Sequence, residues 1–244
     1  MIAAAHSTIS PANRLLLTAT VSRADLFSYA KEFKITAGQT VYDGHSPTPY
    51  CIFPETALMS LMSYTEHGSS VAVGMVGNEG LVGVAALFDE QLLPYRTIAQ
   101  TAGIGLRIPG AKLREWLRQD LVFRNCVVRF LHAMFTQAVQ TAACNRFHVT
   151  EERLARWLLL ARDRLDLDKL PFTHESLAAV IGTDRVSITR AAQKLKKQGV
   201  LSYTRGKTAI LDRDGLLSVS CECYSTIKKE YDALAEMCSL KRIR

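Results

Sequence analysis

Glycine and proline divide this chain into two kinds of sequence. Between residues 33 and 108 a turn former recurs every few residues (Gly38, Gly44, Pro47, Pro49, Gly68, Gly77, Gly80, Gly83, Pro94, Gly103). No glycine then occurs between Gly110 and Gly182, and no proline between Pro109 and Pro171. Helix interiors disfavour both residues, whereas tight turns between strands favour them. The first segment therefore reads as short strands, with candidates at Cys51–Phe53, Leu58–Tyr64, Val71–Val76, Arg96–Thr101 and Ile104–Ile108, after a short helix around Asn13–Tyr29. The second reads as helix for about fifty residues. With 244 residues, 48% of them hydrophobic, the chain can bury a core in each of two modest domains.

Charge is uneven. Residues 21–96 hold four basic groups (Arg23, Lys31, Lys34, Arg96) against eight acids, a balance that repels phosphate. Residues 183–207 hold Arg185, Arg190, Lys194, Lys196, Lys197, Arg205 and Lys207 against Asp184 alone, inside a net charge of +7. A polyanion fits the second half of the chain and not the first.

Along the helical segment, Phe123, Val127, Phe130, Met134, Ala138, Thr141 and Asn145 fall on one stripe. Such a stripe can pack on the strand domain or face its copy across a two-fold axis. Its narrowness favours the second, a dimer interface at Phe123, Val127, Phe130, Met134, Ala138 and Thr141. A second helix follows from about Thr150, read as an N-cap before Glu151 and Glu152, to about Arg164, with Leu154, Trp157, Leu158 and Ala161 inward.

The strongest pattern lies at 172–213. In THESLAAVIGTDRVSITRAAQKLKKQG, Leu177, Ile181 and Ile188 fill a wedge between two helices, Ala178 is small where they cross, and Gly182 suits a turn with positive φ. A second helix over about Thr183–Gln198 turns Ile188, Ala191, Ala192 and Leu195 inward and Val186, Arg190, Gln193 and Lys197 outward. A β-hairpin with a basic tip at Arg205-Gly206-Lys207 follows. Helix, turn, basic helix and basic wing in that order imply a reader of the DNA major groove. Thr173, Thr183, Arg185, Val186, Ser187, Thr189, Arg190, Lys194, Arg205 and Lys207 are its candidate contacts. Arg185, Thr189 and Arg190 suit base edges, and Ser187, Lys194, Arg205 and Lys207 suit phosphates.

With those residues in view, the chain resembles the Crp/Fnr superfamily of transcription regulators. The resemblance rests on EERLARWLLLARDRL, the helix-turn-helix, the wing and ILDRDGLLSVSCECY, and more loosely on FPETALMSLM and GNEGLVGV. It implies an α+β protein with an N-terminal jelly-roll-like β-roll, a long dimerisation helix and a C-terminal winged helix-turn-helix. The corresponding division is a cyclic-nucleotide-binding-like sensory domain at 1–110, a connector and dimerisation helix at 111–148, the winged helix-turn-helix at 149–224 and a helical tail at 225–244. The implied partners are palindromic double-stranded promoter DNA, a second copy of the chain and, for an activator, RNA polymerase.

Two departures from the family pattern carry expectations. Where the family's recognition helix often has Arg-Glu, this chain has Arg185-Val186. Val186 cannot accept from cytosine N4 and can touch a thymine methyl, so the half-site should differ from TGTGA and TTGAT types. Where cyclic-nucleotide binders carry a ribose-binding glutamate, the chain has Val84, while Arg96-Thr97 resembles the phosphate-binding pair. Glu79 on the same turn is the remaining carboxylate, and Glu79, Val84, Arg96 and Thr97 are the candidate effector residues. The effector is not expected to be cyclic AMP.

Other chemistry is not expected. No cysteine precedes Cys51, so the family's N-terminal iron–sulfur cluster cannot be assembled. Cys221-Glu222-Cys223 has no second pair with metal-ligand spacing near it in sequence and reads as two partly buried thiols, with no metal and no cofactor. Among Cys126, His132, Cys144 and His148 on the connector helices, His132 reads as solvated. No nucleophile–base set or phosphate loop stands out, so the chain is not read as an enzyme. The lack of a membrane span or signal sequence implies the cytoplasm, without membrane partners. Two other readings remain: a ligand-binding β-roll that docks on a protein or membrane surface, and a regulator that needs no effector.

Overall fold

The computed structural model describes residues 12–20, 23–88, 93–204 and 206–240. A single 3-10 turn at Leu16–Thr18 and helix α1 (Arg23–Tyr29) stand where one helix over Asn13–Tyr29 is expected. Asn13 accounts for the break: its amide donates to the carbonyls of Pro54 (2.7 Å) and Gly80 (2.8 Å), and its Oδ1 accepts from the Leu16 amide. The chain is thereby fixed to the roll.

Seven strands follow: β1 (Lys31–Ile35), β2 (Thr40–Tyr42), β3 (Tyr50–Pro54), β4 (Met59–Tyr64), β5 (Ser70–Val76), β6 (Arg96–Ala99) and β7 (Gly103–Pro109). They form two antiparallel sheets, ordered β1-β7-β3 and β2-β6-β4-β5. Phe53, Met59, Val76, Leu106 and Ile108 fill the space between them. β6 ends at Ala99, short of Thr101, because the Gln100 and Thr101 amides turn aside to the Leu58 carbonyl.

Helix α2 (Gly110–Gln119) leaves the roll, and α3 (Leu121–Phe147) starts on Asp120, whose Oδ1 accepts from the Phe123 amide at 2.9 Å. Most of the α3 stripe is covered within the chain itself. Phe123, Val127 and Phe130 are buried in the roll's own core with Met134 packed beside them, Thr141 is buried and Ala138 half-buried. The expected dimer interface at Phe123, Val127, Phe130, Met134, Ala138 and Thr141 is corrected accordingly: periodicity shows that a stripe is covered, not by what. On the opposite face Leu121, Val128, Phe135 and Ala142 recur every seven residues, with Asn125, His132, Val139 and Arg146 between them, and all eight are exposed. That is a second, exposed stripe with heptad spacing, met within the chain at His132 by the Glu230 carboxylate at 3.2 Å.

Helix α4 (Thr150–Leu165) begins after an extended pair, His148-Val149. Its N-cap is Val149 rather than Thr150, and Glu152 accepts the Val149 amide. Next come β8 (Lys169–Leu170), α5 (His174–Ile181), α6 (Arg185–Lys197), β9 (Leu201–Thr204), β10 (Lys207–Ile210) and α7 (Arg213–Val219). β8, absent from the sequence reading, pairs with β10 and makes the wing three-stranded. The two halves share one core, in which Leu58, Met62, Ala72 and Met75 of the roll pack with Leu158, Leu177, Ile181 and Leu195.

The last helix, α8 (Cys223–Leu240), is no free tail. It lies along α3 and puts Leu234 into the roll's core. Among the described residues no helix is long and apolar enough to cross a membrane.

Candidate nucleic-acid interface

The inner face of α6 is closed, since Ile188, Ala191, Ala192 and Leu195 are each at most 1% exposed. Burying such a face orients the opposite one. Arg185, Val186, Arg190, Gln193 and Lys197 are all exposed on it. Val186 is an apolar side chain 58% exposed in the middle of a charged surface. Two devices hold the helix start. Gly182 caps α5 at φ +69°, a conformation that penalises any side chain, and Asp184 caps α6 by accepting from the Ser187 amide (2.8 Å) and hydroxyl (2.7 Å). Those donors hold the Asp184 carboxyl below the usual carboxylate range.

The candidate contacts differ in how free they are. Arg185 and Arg190 project into solvent, Arg185 with Glu175 3.8 Å away. Thr189 is engaged, donating to the Arg185 carbonyl (2.9 Å) and lying 3.1 Å from His174 Nδ1. The Ser187 hydroxyl is committed to Asp184, and Lys194 is paired with Glu151 of α4. Thr173 is the N-cap of α5, its hydroxyl accepting from the Ser176 amide (3.0 Å). Thr183 sits half-buried in the turn, its amide bonded to the Ala178 carbonyl. Lys207 opens β10 and is exposed, while Arg205 lies outside the described residues.

Between the start of α5 and the wing, with Arg185 of α6 at its border, lies a groove of about 530 Å³ lined by His174, Arg185, Tyr203 and Lys207 among others. Sequence reasoning missed the part played by His174 and Tyr203, whose rings meet edge to face at 4.8 Å and set the wing against the helix pair. Burial and then the Arg185 charge lower the His174 pKa, so the ring is neutral near pH 7. The available signal was a histidine at the motif's first position, where a surface helix would need no ring.

The effector candidates do not converge. Glu79 is bonded to Arg164 of α4 at 2.8 Å, with both side chains largely buried, and borders a cavity of about 300 Å³ that Tyr231 also lines. Arg96 lies over the Tyr64 ring at 4.5 Å, beside a separate space of about 180 Å³. Thr97 is fully buried, its hydroxyl without a hydrogen-bond partner. Val84 starts a one-turn 3-10 helix, Val84–Leu87.

Two domain families match this chain. Residues 32–120 match the cyclic nucleotide-binding domain, and residues 152–219 match the Crp-like helix-turn-helix domain. The chain belongs to the Crp/Fnr superfamily. It is a Crp/Fnr-type transcription regulator in which the roll and the winged helix are the two matched parts. Solved Crp/Fnr structures share its fold. FixK2 from Bradyrhizobium japonicum superposes with a TM-score of 0.69 at 15% identity, covering 79% of this chain and 98% of that one. The regulator TTHA1359 of Thermus thermophilus gives 0.61 at 22% identity, covering 78% and 98%. The c-di-GMP responsive global regulator CLP of Xanthomonas campestris gives 0.62 at 15% identity, covering 78% and 97%. No curated protein sequence matches the chain.

Proposed function

We propose that this Crp/Fnr regulator binds palindromic promoter DNA as a homodimer, reading each half-site with α6 and gripping the flanking phosphates with the wing. The observation that carries the reading is the outer face of α6, where Arg185, Val186 and Arg190 stand exposed beside the Lys207 wing. Each arginine can take a guanine edge with two hydrogen bonds, worth about 1–3 kcal/mol of discrimination. Val186 offers a methyl-sized contact where a glutamate would accept from cytosine. Dimerisation runs through the exposed Leu121, Val128, Phe135, Val139 and Ala142 seam, which sets two α6 helices about 34–36 Å apart, one turn of DNA. At an activated promoter, RNA polymerase is the further partner.

Selection from a random duplex pool tests the reading: a palindrome differing from TGTGA and TTGAT half-sites is expected, with a symmetric footprint. Equal affinity for every duplex and no footprint would instead favour a roll that docks on protein or membrane.

The effector acts on the roll and is not cyclic AMP. The ribose-binding carboxylate is replaced by Val84, and Glu79 is already held by Arg164 at 2.8 Å. Calorimetric titration with cyclic AMP should give no saturable heat, and a 1:1 micromolar isotherm would overturn that assignment. Full promoter binding by protein freed of small molecules would favour a regulator that needs no effector.

A further inference from the structure

Four residues that are far apart in sequence meet where the winged helix joins the rest of the molecule. Cys144 and His148 are four apart on the last turn of α3 and the residue after it, and so share a face. Cys221 and Cys223 flank Glu222 at the junction of α7 and α8. Their donor atoms all lie within 4.8 Å of one another. Cys144 Sγ is 3.4 Å from Cys221 Sγ, and Cys223 Sγ is 3.7 Å from His148 Nδ1. The three cysteines are free, buried and packed as a cluster separate from both hydrophobic cores.

We propose that Cys144, His148, Cys221 and Cys223 form a tetrahedral site for one Zn²⁺-class thiophilic ion per chain, which pins the α3–α4 junction to the α7–α8 junction. Three thiolates and one imidazole are a structural zinc donor set. With Zn–S bonds of about 2.3 Å, a regular tetrahedron has sulfur–sulfur edges of about 3.8 Å, close to the spacings present. An iron–sulfur cluster distributes its thiolates over several irons and spreads them further apart.

The surroundings fit as well. His148 Nε2 lies 3.3 Å from the Glu222 carboxylate. A carboxylate there fixes the tautomer that leaves Nδ1 free to bind metal. Three thiolates and a divalent ion leave one negative charge. The buried Arg156 of α4, whose Nε lacks a hydrogen-bond partner, is close enough for its charge to favour the Cys144 thiolate. Sequence spacing hid the site because its two ligand pairs are separated by the whole winged helix.

The test uses full-length protein, reduced, stripped with EDTA and titrated with Co²⁺. One equivalent per chain should give the visible bands of tetrahedral cobalt and the ultraviolet charge-transfer bands of three thiolates, both abolished by stoichiometric Zn²⁺. Cys144→Ser and Cys221→Ser should each weaken binding by more than about 100-fold, since loss of an outer-shell partner alone costs about 10–100-fold. Glu222→Gln should weaken it by about 10-fold, and Cys238→Ser should leave it unchanged. Absence of tetrahedral bands, or bands insensitive to both serine variants, overturns the site. Iron with acid-labile sulfide in protein as purified, or a Cys144–Cys221 disulfide in protein that takes up no metal after reduction, overturns the assignment equally.

Discussion

Phe135→Ala separates the two stripes of α3. Phe135 is 69% exposed in the single chain, whereas Phe130, five residues earlier, is fully buried against the roll. A phenylalanine covers about 150–250 Å² when buried, so closing the seam removes about 100–170 Å² per ring from water. At about 25 cal/mol per Å² this is about 2.5–4 kcal/mol per ring. Two rings meet at a two-fold axis, but alanine keeps a methyl group and a seam is never perfectly sealed. An allowance of about 4 kcal/mol for the dimer raises its dissociation constant by about a thousand-fold. Sedimentation equilibrium reads this directly, and the variant's thermal unfolding as a monomer should be unchanged. Phe130→Ala should behave oppositely, costing about 3–5 kcal/mol of chain stability through the cavity it leaves, with no selective effect on association. If Phe135→Ala associates like the parent chain, the exposed seam is not the dimer interface and the reasoning fails.

Further outcomes follow from the same geometry. Arg190→Ala should relax selectivity at one base pair by about 1–3 kcal/mol, while Lys207→Ala should weaken all duplexes alike and lower the salt-dependence slope by about one; competition assays at several salt concentrations separate the two. Glu79→Ala leaves the buried Arg164 guanidinium with only Gln137, the Leu160 carbonyl and the Tyr231 ring, so urea denaturation should register a loss near the lower end of about 3–5 kcal/mol. Asp168→Ala, which breaks the more exposed pair with Arg162, should cost under about 1 kcal/mol, and equal losses for the two would refute the burial argument. For Asp120, burial raises the carboxyl pKa, but donors from the Phe123 and Thr20 amides and the Thr20 hydroxyl outweigh it, and the net shift is downward. A depressed carboxylate stabilises the fold above its unfolded pKa and loses that contribution as pH falls through the folded one. Asp120→Asn should therefore flatten the stability profile below about pH 4, and an unchanged acid limb would contradict it.

The winged helix was legible because each of its constraints is local. Ala178 at a helix crossing, Gly182 at positive φ and the alternation of Ile188 and Leu195 with Arg190 and Lys197 all act within a few residues. The strands of the roll were legible for the same reason, since glycine and proline mark their turns. What the sequence hid is what depends on partners distant along the chain. Both faces of α3 carry apolar residues, and only the docked roll shows which is spent internally. The strict heptad of Leu121, Val128, Phe135 and Ala142 was the available signal, overshadowed by the bulkier stripe through Phe123 and Phe130. Glu79 reads as an effector ligand in the sequence, but its partner in the fold is Arg164, 85 residues further on.

These long-range contacts converge on the helices that carry the DNA-reading surface. Glu79, on the turn after β5, holds the C-terminal end of α4 through Arg164. Val71 of β5 touches the helix-turn-helix itself: a Cβ on Gly182 would come within 2.8 Å of Val71 Cγ2. The Ser70 hydroxyl reaches the Ala179 carbonyl of α5 at 3.5 Å. The only covalent link between α3 and α4, by contrast, is the extended pair His148-Val149. A rearrangement of the β4–β5 face therefore reaches α5 and α6 by direct packing and reaches α3 separately through Gln137, which bonds both Arg164 and the Met75 carbonyl. Packed interfaces of this kind shift between discrete arrangements and do not deform smoothly. An effector that moves β5 must then change the packing of the winged helix and the state of the Arg164 network together.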